Sequence, residues 1–342
     1  MSEVVVDGTR EGRIRIGVLG ASGQLGRSLV RLIYSGSGGA SATIDPSDFS
    51  LVFAASRGNL DLNDPGAIEP FLDAIEGGPP DVLINAAAYT KVDACESETE
   101  LAYQTNAISP GEWARRLAAR GIGFVHLSTD YVFPGEGDRP YREDDPTEPK
   151  TVYGASKRAG EVAVLGSHPN ALVARTSWVF GPGRNFVVAI LDQAAQRRSG
   201  EVQGPLRVVN DQQGCPTSAA DLAEALLLWA RDHRNRPESA GLLHLSNQGI
   251  TTWYGFAREI LDQSGYADIE IEPVPSTIFE TAAVRPTYSV MSCDLADSMG
   301  ISMRHWKEAL ASYLAGPDSP HNQDVTSTSK DNTAKSVGEV SG

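Results

Sequence analysis

The segment Gly20-Ala21-Ser22-Gly23-Gln24-Leu25-Gly26 decides the fold of this chain, because it places three glycines between two stretches of regular apolar pattern. A short apolar run over residues 14–19 precedes it, and an amphipathic stretch over residues 28–33 follows it. The order of strand, glycine turn and helix is typical of dinucleotide-binding folds. In these folds the backbone of the turn approaches a pyrophosphate, and the helix N-terminus offers free N–H groups. The spacing G-x-x-G-x-x-G differs from the commoner G-x-G-x-x-G, so an ordinary tight turn stays open as the alternative.

Composition and charge exclude several classes of function. The chain has 342 residues, 41% hydrophobic and 21% charged, which is ordinary for a globular protein of one large or two modest domains. A formal net charge of −15 argues against a nucleic-acid partner and against binding to an anionic membrane surface. We find no apolar run long enough to span a membrane and no signal-peptide pattern. Three widely spaced cysteines without metal-binding spacings predict a cytoplasmic protein with no metal site.

Short apolar runs alternate with amphipathic stretches from Arg13 onward. This alternation predicts an α/β fold, with a Rossmann-like, doubly wound parallel sheet that carries helices on both faces. The predicted strands cover residues 14–19, 51–55, 82–85, 123–128 and 171–176. The predicted helices between them cover residues 23–34, 65–75, 99–120 and 153–165.

The composition changes along the chain and predicts its domain organisation. A flexible leader over residues 1–12 precedes a dinucleotide-binding Rossmann domain over residues 13–180. Pro- and Gly-rich connections then separate further helices, which indicates a smaller C-terminal substrate-binding lobe over residues 181–315, some segments of which return to the sheet. Residues 316–342 contain almost no apolar side chains, so they cannot bury enough surface to offset ordering entropy and are predicted to form a disordered tail.

Tyr153 and Lys157 form the second informative pattern, because residues four apart lie on one face of a helix. A phenol has an ordinary pKa of about 10. A neighbouring ammonium lowers that pKa, so the pair can give a proton to a carbonyl oxygen or take one from an alcohol. Such a pair also arises by chance on an exposed helix face. Position favours catalysis, because Thr129 and the small residues Asn85-Ala86-Ala87-Ala88 follow two predicted strands, and ligands bind beyond the carboxyl ends of parallel strands.

These segments together resemble the extended short-chain dehydrogenases/reductases and, more narrowly, the dTDP-4-dehydrorhamnose reductases. The segments most particular to that family are Ser128-Thr129-Asp130-Tyr131-Val132-Phe133 and Arg175-Thr176-Ser177-Trp178-Val179. Further matches are Asn85-Ala86-Ala87-Ala88-Tyr89-Thr90, Gly160-Glu161, Asn185-Phe186, Asp211-Gln212-Gln213-Gly214-Cys215-Pro216-Thr217 and Arg285-Pro286.

The resemblance implies reduction of the C4 ketone of dTDP-4-dehydro-β-L-rhamnose to dTDP-L-rhamnose, a step of cell-surface polysaccharide biosynthesis. No side chain delivers a hydride, so a reduced nicotinamide must supply it. Tyr153 would donate the proton, Lys157 would lower the pKa of Tyr153 and bond the nicotinamide ribose, and Thr129 would orient the pair. Thr129, Asp130 and Trp178 would contact the sugar nucleotide. The implied cofactor-binding residues are Gly20, Ser22, Gly23, Gln24, Leu25, Gly26, Asp61, Leu62, Ala87, Ala88, Tyr89, Thr90, Leu127, Tyr153 and Lys157.

The end of the strand predicted over residues 51–55 bears on the choice of cofactor. An acidic residue at this position commonly holds the ribose hydroxyls of NAD, and none is present. Ser56 and Arg57 stand there instead and favour a 2′-phosphate, so we expect NADPH, with NADH as the alternative cofactor. A solvent-facing Arg57 with no ligand is the competing interpretation.

Two other classes of function stay open. One is a non-catalytic, NADP-binding regulatory subunit like that of methionine adenosyltransferase, against which the presence of Thr129, Tyr153 and Lys157 argues. The other is a different nucleotide-sugar reductase or an epimerase on the same fold. The resemblance also allows a homodimer and a bridging Mg²⁺ ion, although no residue is assigned to that ion.

Several of these residues also have purely structural interpretations. Trp178 can be a core anchor, and Asp61 can cap the helix that begins near Pro65. Asp93 and Glu96 are expected to form a solvated helix start rather than a metal site.

Overall fold

The computed structural model describes residues 12–35, 44–233 and 241–320, so residues 1–11 of the predicted leader lie outside the described residues. The strands are β1 (Ile14–Leu19), β2 (Phe49–Ala55), β3 (Val82–Asn85), β4 (Gly123–Thr129), β5 (Leu172–Thr176), β6 (Val179–Phe180), β7 (Leu206–Val209), β8 (Gln213–Gly214), β9 (Thr217–Ser218), β10 (Gly241–His244), β11 (Thr251–Thr252) and β12 (Ile271–Val274). The α-helices are α1 (Gln24–Ser35), α2 (Ile68–Asp73), α3 (Val92–Ser97), α4 (Thr99–Tyr103), α5 (Ser109–Ala119), α6 (Val152–Ser167), α7 (Phe186–Arg198), α8 (Ala219–His233), α9 (Trp253–Gln263), α10 (Asp294–Ser298) and α11 (Trp306–Ala315).

Six strands form one parallel sheet in the order β2-β1-β3-β4-β5-β10. The chain runs outward from β1 to β2 and then crosses back to β3 on the other side of β1. The strand order therefore reverses between β1 and β3, and such a reversal opens a crevice beyond the carboxyl ends of the strands. This topology confirms the predicted doubly wound parallel sheet.

Helices cover both faces of the sheet, as the alternation of buried side chains along each strand requires. Val82 and Ile84 of β3 belong to the core beneath α1 and α8, whereas Leu83 belongs to the opposite core beneath α2, α5 and α6. A strand buried on both faces reads as a continuous apolar run, which is why period-two alternation is missing from its sequence.

A second, smaller core lies within the C-terminal part of the chain. Side chains of α7, α9 and α11 pack there against β7, which pairs with β12 in a two-stranded parallel sheet. Other elements of residues 181–315 pack against the central sheet or join it. Helix α8 packs against α1, and β10 is the sixth strand beside β5. Among the described helices, none is long and apolar enough to cross a membrane.

The helix predicted over residues 99–120 is confirmed over 99–119, and it contains one irregular turn that the sequence does not predict. Helix α4 passes into a π-helical turn, Gln104–Ile108, before α5 begins. The fully buried side chain of Asn106 in this turn accepts a hydrogen bond from Tyr89 N and donates to Tyr89 O and to Ser156 Oγ. These tertiary bonds compensate for the irregular turn, a feature often found at functional sites.

The first residues of the segment predicted as a disordered tail are packed against the protein. Asp318 forms an ion pair with Arg31 of α1, and Ser319 is fully buried. Residues 318 and 319 of the predicted tail are therefore packed, and residues 321–342 of that tail lie outside the described residues.

We predict that Leu226→Ala lowers the free energy of unfolding by about 2–5 kcal/mol, because Leu226 of α8 is fully buried between the sheet and α1. Urea unfolding monitored by circular dichroism measures this change. Leu295→Ala is the matched control, since Leu295 is 44% exposed, and it should change stability by about 0.5 kcal/mol or less. Equal effects of the two substitutions would show that α8 does not support the sheet core.

Candidate active site

The glycine turn after β1 is pressed against the end of β3, at the point where the strand order reverses. Gly20 has φ +79°, and a Cβ atom there would lie 2.6 Å from Ala87 N. A Cβ atom on Gly26 would lie 2.2 Å from Gly20 O, so the first turn of α1 also needs a glycine. Gln24 Oε1 is buried and has no hydrogen-bond partner among the described residues. The close backbone approach and this unpaired polar atom fit a bound dinucleotide.

Tyr153 and Thr129 meet because the N-terminus of α6 is fixed beside the end of β4. Thr151 Oγ1 accepts a hydrogen bond from Gly154 N at 3.0 Å and caps the helix. A Cβ atom on Gly154 would lie 2.2 Å from Tyr131 O, so only glycine permits this approach. The Thr129 hydroxyl then hydrogen-bonds the Tyr153 phenol. Burial raises the pKa of this phenol, whereas the bond to Thr129 lowers it.

Lys157 lies one helical turn after Tyr153 and is almost completely buried. Its Nζ donates to Leu127 O at 2.5 Å and lies 3.4 Å from His126 Nε2. Burial lowers the pKa of Lys157 to about 8, and the charge of Glu161 acts in the opposite direction. The predicted lowering of the Tyr153 pKa by Lys157 is not visible in this structure, in which the Lys157 ammonium is turned toward the Leu127 carbonyl.

Asp130 follows Thr129 and is 2% exposed. Its Oδ1 accepts a hydrogen bond from Thr129 Oγ1 at 2.9 Å. Oδ2 is buried and has no partner within the described part of the chain. Burial raises the pKa of Asp130 to about 6. This carboxyl group therefore keeps one unused acceptor next to the proposed proton donor, where a ligand hydroxyl can bind.

The residues predicted on the nicotinamide side follow β3 and lie beside α3. Ala87 and Ala88 are half-buried, and Thr90 is exposed. Tyr89 is buried, and its hydroxyl donates to Glu98 Oε2 at 2.5 Å. This bond raises the pKa of Tyr89 to about 12, so the phenol stays neutral.

The residues predicted near the adenosine follow β2. Arg57 is exposed, Ser56 and Leu62 are half-buried, and Leu62 O accepts from Ser109 Oγ. Asp61 Oδ1 accepts a hydrogen bond from Asn63 N at 3.0 Å, within its own loop. Asp61 is therefore not a helix cap. That role belongs to Asp64, the N-cap of the 3₁₀ turn Pro65–Ala67 before α2.

Trp178 is half-buried and stacks on Trp253, with ring centroids 3.5 Å apart and planes 8° apart. Its φ of +45° is left-handed, which is uncommon for any residue with a large side chain. A Cβ atom on Gly214 of β8 would lie 2.5 Å from the Trp178 indole, so only glycine allows the backbone to pass this close to the ring. Strained backbone of this kind clusters at functional sites. Sequence reasoning missed Trp253, because nothing near it in the sequence marks it as a partner of Trp178.

Asp93 and Glu96 have specific partners, so their interpretation as a solvated helix start is wrong. Asp93 forms a bidentate ion pair with Arg285, with N–O distances of 3.2 and 2.5 Å, and accepts a bond from Ala283 N. Glu96 Oε1 accepts from Val152 N at 2.9 Å and so supports the start of α6. No cluster of three acidic, histidine or cysteine side chains that could hold a metal occurs in residues 12–35, 44–233 and 241–320.

Comparison with known proteins gives concordant matches. Residues 14–317 match the RmlD substrate binding domain family. The dTDP-4-dehydrorhamnose reductase of Mycobacterium tuberculosis is 39% identical over 310 residues, which cover 89% of this chain and 93% of that protein. A probable dTDP-4,6-dihydroxy-2-methyloxan-3-one 4-ketoreductase of Streptomyces antibioticus is 37% identical over 301 residues, which cover 86% and 92%. The crystal structure of the Bacillus anthracis dTDP-4-dehydrorhamnose reductase in complex with NADP is 31% identical, with a TM-score of 0.76 and coverage of 89% of this chain and 99% of that one.

We predict that Asp130→Asn makes stability less dependent on pH. The folded protein holds a proton on Asp130 up to about pH 6, whereas the unfolded chain releases it near 3.8, so the wild type loses stability as the pH rises between these values. Relative to wild type, the variant should therefore gain about 2–3 kcal/mol of unfolding free energy between about pH 4 and about pH 7. Urea unfolding at both pH values measures this gain.

The control for this experiment is Asp93→Asn. Burial raises the pKa of Asp93, but hydrogen bonds from Arg285 and backbone N–H groups lower it overall, so its titration lies below the tested window. The difference between Asp93→Asn and wild type should therefore stay constant over that window. A constant difference for Asp130→Asn would contradict the raised pKa.

Proposed function

The chain belongs to the RmlD substrate binding domain family, and we propose that it is a dTDP-4-dehydrorhamnose reductase. It uses NADPH to reduce the C4 ketone of dTDP-4-dehydro-β-L-rhamnose to dTDP-L-rhamnose. One observation carries this proposal. The fold brings Thr129, Tyr153 and Lys157 together at the carboxyl edge of the sheet, the same edge at which the glycine turn lies.

The nicotinamide cofactor supplies the hydride when it is bound, and side chains of this protein supply the proton and orient the ketone. Tyr153 gives its phenolic proton to the ketone oxygen, because its hydroxyl is held by Thr129 at the site edge. Thr129 also donates to the ketone oxygen, once its hydroxyl proton turns from Asp130 Oδ1 to the ketone, and so orients the ketone toward the phenol. Lys157 holds a positive charge near the phenolate that proton transfer leaves behind.

The sugar nucleotide lies between Asp130 and the stacked pair of Trp178 and Trp253. The unpaired Oδ2 of Asp130 accepts a hydrogen bond from a sugar hydroxyl, which satisfies a buried acceptor that is otherwise left without a partner. The indole of Trp178 offers a flat apolar wall, and Trp253 fixes its orientation by stacking. An unpaired acceptor here selects a ligand that bears a hydroxyl group over one that lacks it.

The alternatives differ in how well these observations support them. A non-catalytic regulatory subunit does not need the Thr129–Tyr153 hydrogen bond or a buried Lys157, so it is not favoured. A 4-ketoreductase for a related dTDP sugar uses the same chemistry, as the name of the Streptomyces antibioticus relative illustrates. The homodimer, the Mg²⁺ ion and the cytoplasmic location remain predictions.

We predict that wild-type protein oxidises NADPH only when dTDP-4-dehydro-β-L-rhamnose is added, and that Tyr153→Phe lowers this turnover by about 10²–10⁴-fold because the general acid is lost. NADPH absorbance measures turnover, and fluorescence titration measures NADPH binding, which should stay at the wild-type level. Tyr266→Phe is the control, since Tyr266 contacts Arg198 far from the site, and it should behave as wild type. Comparable turnover of Tyr153→Phe would remove Tyr153 from the proposed role. Wild-type NADPH binding without turnover would favour a different sugar or a regulatory protein.

We predict that Arg57→Ala weakens NADPH binding by about tenfold or more, because a charged hydrogen bond to the 2′-phosphate is lost. NADH has no such phosphate, so its affinity should change much less. Fluorescence titration with both cofactors measures the ratio of affinities. Arg207→Ala, which removes an exposed arginine of β7, is the control and should leave both affinities unchanged. Equal losses for the two cofactors after Arg57→Ala would place Arg57 outside the cofactor site.

A further inference from the structure

Helix α6 carries a third ionisable residue on the face that bears Tyr153 and Lys157. Glu161 lies one turn beyond Lys157, so the three side chains follow one another at intervals of four residues. All three are buried, and Glu161 is completely inaccessible to solvent. A carboxylate in such a position needs compensating hydrogen bonds or charges, because burial of an unpaired charge costs several kcal/mol.

Three consecutive residues of β4 hold these three side chains, one each. The contacts join Leu127 O to Lys157 Nζ at 2.5 Å, Ser128 Oγ to Glu161 Oε1 at 2.6 Å, and the hydroxyl of Thr129 to that of Tyr153. The strand end therefore fixes Glu161 in the same way that it fixes the two residues proposed to act in catalysis.

Two arginine side chains contact the Glu161 carboxylate. Arg175 of β5 donates from Nε to Oε1 and from Nη2 to Oε2, both at 2.8 Å, in a bidentate pair in which both side chains are buried. Arg158 of α6 lies 3.4 Å from Oε2 on the partly exposed side. A bidentate guanidinium and a hydroxyl donor together satisfy both carboxylate oxygens.

We propose that Glu161 is a positioning residue for the reduction, which holds Lys157 as a cation beside Tyr153 while Arg175 holds Glu161 as an anion. This inference rests on the proposed function, because in that function the positive charge on Lys157 stabilises the Tyr153 phenolate. It assigns a role to a buried ion pair that a purely structural interpretation would treat as a link between α6 and β5.

The charges around Lys157 favour this role. Burial lowers the pKa of Lys157, and Glu161 is the group whose charge raises it. His126 Nε2 lies 3.4 Å from Lys157 Nζ, and its pKa is lowered well below the ordinary value by burial and by the charge of Lys157, so it is neutral. His244 of β10 contacts Arg175 at 3.4 Å and is also neutral, because burial lowers its pKa to about 3. Glu161 is therefore the anion that keeps the proton on Lys157.

The experiment is a direct titration of Lys157 in the cofactor-free protein. The chain contains six lysines, so protein labelled with ¹⁵N-lysine gives a simple NMR spectrum, and Lys157→Met assigns the Lys157 signal. Glu161→Gln removes the charge and keeps the shape of the side chain. We expect the titration midpoint of Lys157 to fall by about one unit or more. The alkaline limb of the turnover profile should shift to lower pH by the same amount.

Ser128→Ala is the matched control, because it removes a neutral hydrogen bond to Glu161 and leaves the carboxylate in place. It should lower the melting temperature without moving the Lys157 midpoint. Glu161→Asp keeps the charge and should restore the midpoint toward that of wild type. An unchanged midpoint in folded Glu161→Gln would overturn the proposal and leave the ion pair as a structural link only.

A second variant covers the case in which Glu161→Gln does not fold, since it leaves Arg175 buried without a partner. The double variant Glu161→Gln/Arg175→Met removes both charges, and its Lys157 midpoint should also fall below that of wild type. A wild-type midpoint in this variant would overturn the proposal as well. These titrations need neither cofactor nor substrate. A failed proposed function would appear instead as wild-type protein that does not turn over the sugar nucleotide.

Discussion

Burial of a positive charge on Lys157 is the constraint on which the rest of the site depends. An ammonium group moved out of water loses its proton unless donors and anions compensate for lost hydration. Two kinds of compensation are present, the backbone carbonyl of Leu127 and the charge of Glu161. Both require α6 to lie directly against the carboxyl half of β4. The packing of this one helix therefore determines whether the protein can do acid–base chemistry.

Glycines in α6 and polar contacts from other parts of the chain allow α6 to pack closely against its neighbours. A Cβ atom on Gly160 would lie 2.1 Å from Asn106 O, and one on Gly154 would lie 2.2 Å from Tyr131 O, so α6 touches its neighbours through backbone at both places. The π turn that carries Asn106 also fixes Tyr89 of the cofactor side. The same π turn therefore contacts α6, which carries the proposed proton donor, and the segment after β3, which is predicted to contact the cofactor.

The sequence predicts this part of the site because its signals are local. A glycine turn between strand and helix, and a tyrosine four residues before a lysine, are each contained in one supersecondary unit, and the parallel sheet places their ends on one edge. The contacts that were missed join distant positions. Asp93 and Arg285 are 192 residues apart, and no local pattern links them. The return of β10 to the sheet and the stacking of Trp253 on Trp178 are tertiary events of the same kind.

The predictable and the unpredictable contacts belong to different parts of the proposed function. The proposed dinucleotide binding and proton transfer use geometry that one βα unit and one helix supply, so short segments of sequence are enough to predict them. In the proposed function, recognition of the sugar uses Asp130 and the Trp178–Trp253 stack, which come from three separate segments of the chain. Substitutions in those segments can change which ketone is presented to Tyr153 without disturbing Lys157 or Glu161. Under the proposed function, residues at the edge of the sheet carry out the chemistry, and contacts between the sheet and the C-terminal segments select the substrate.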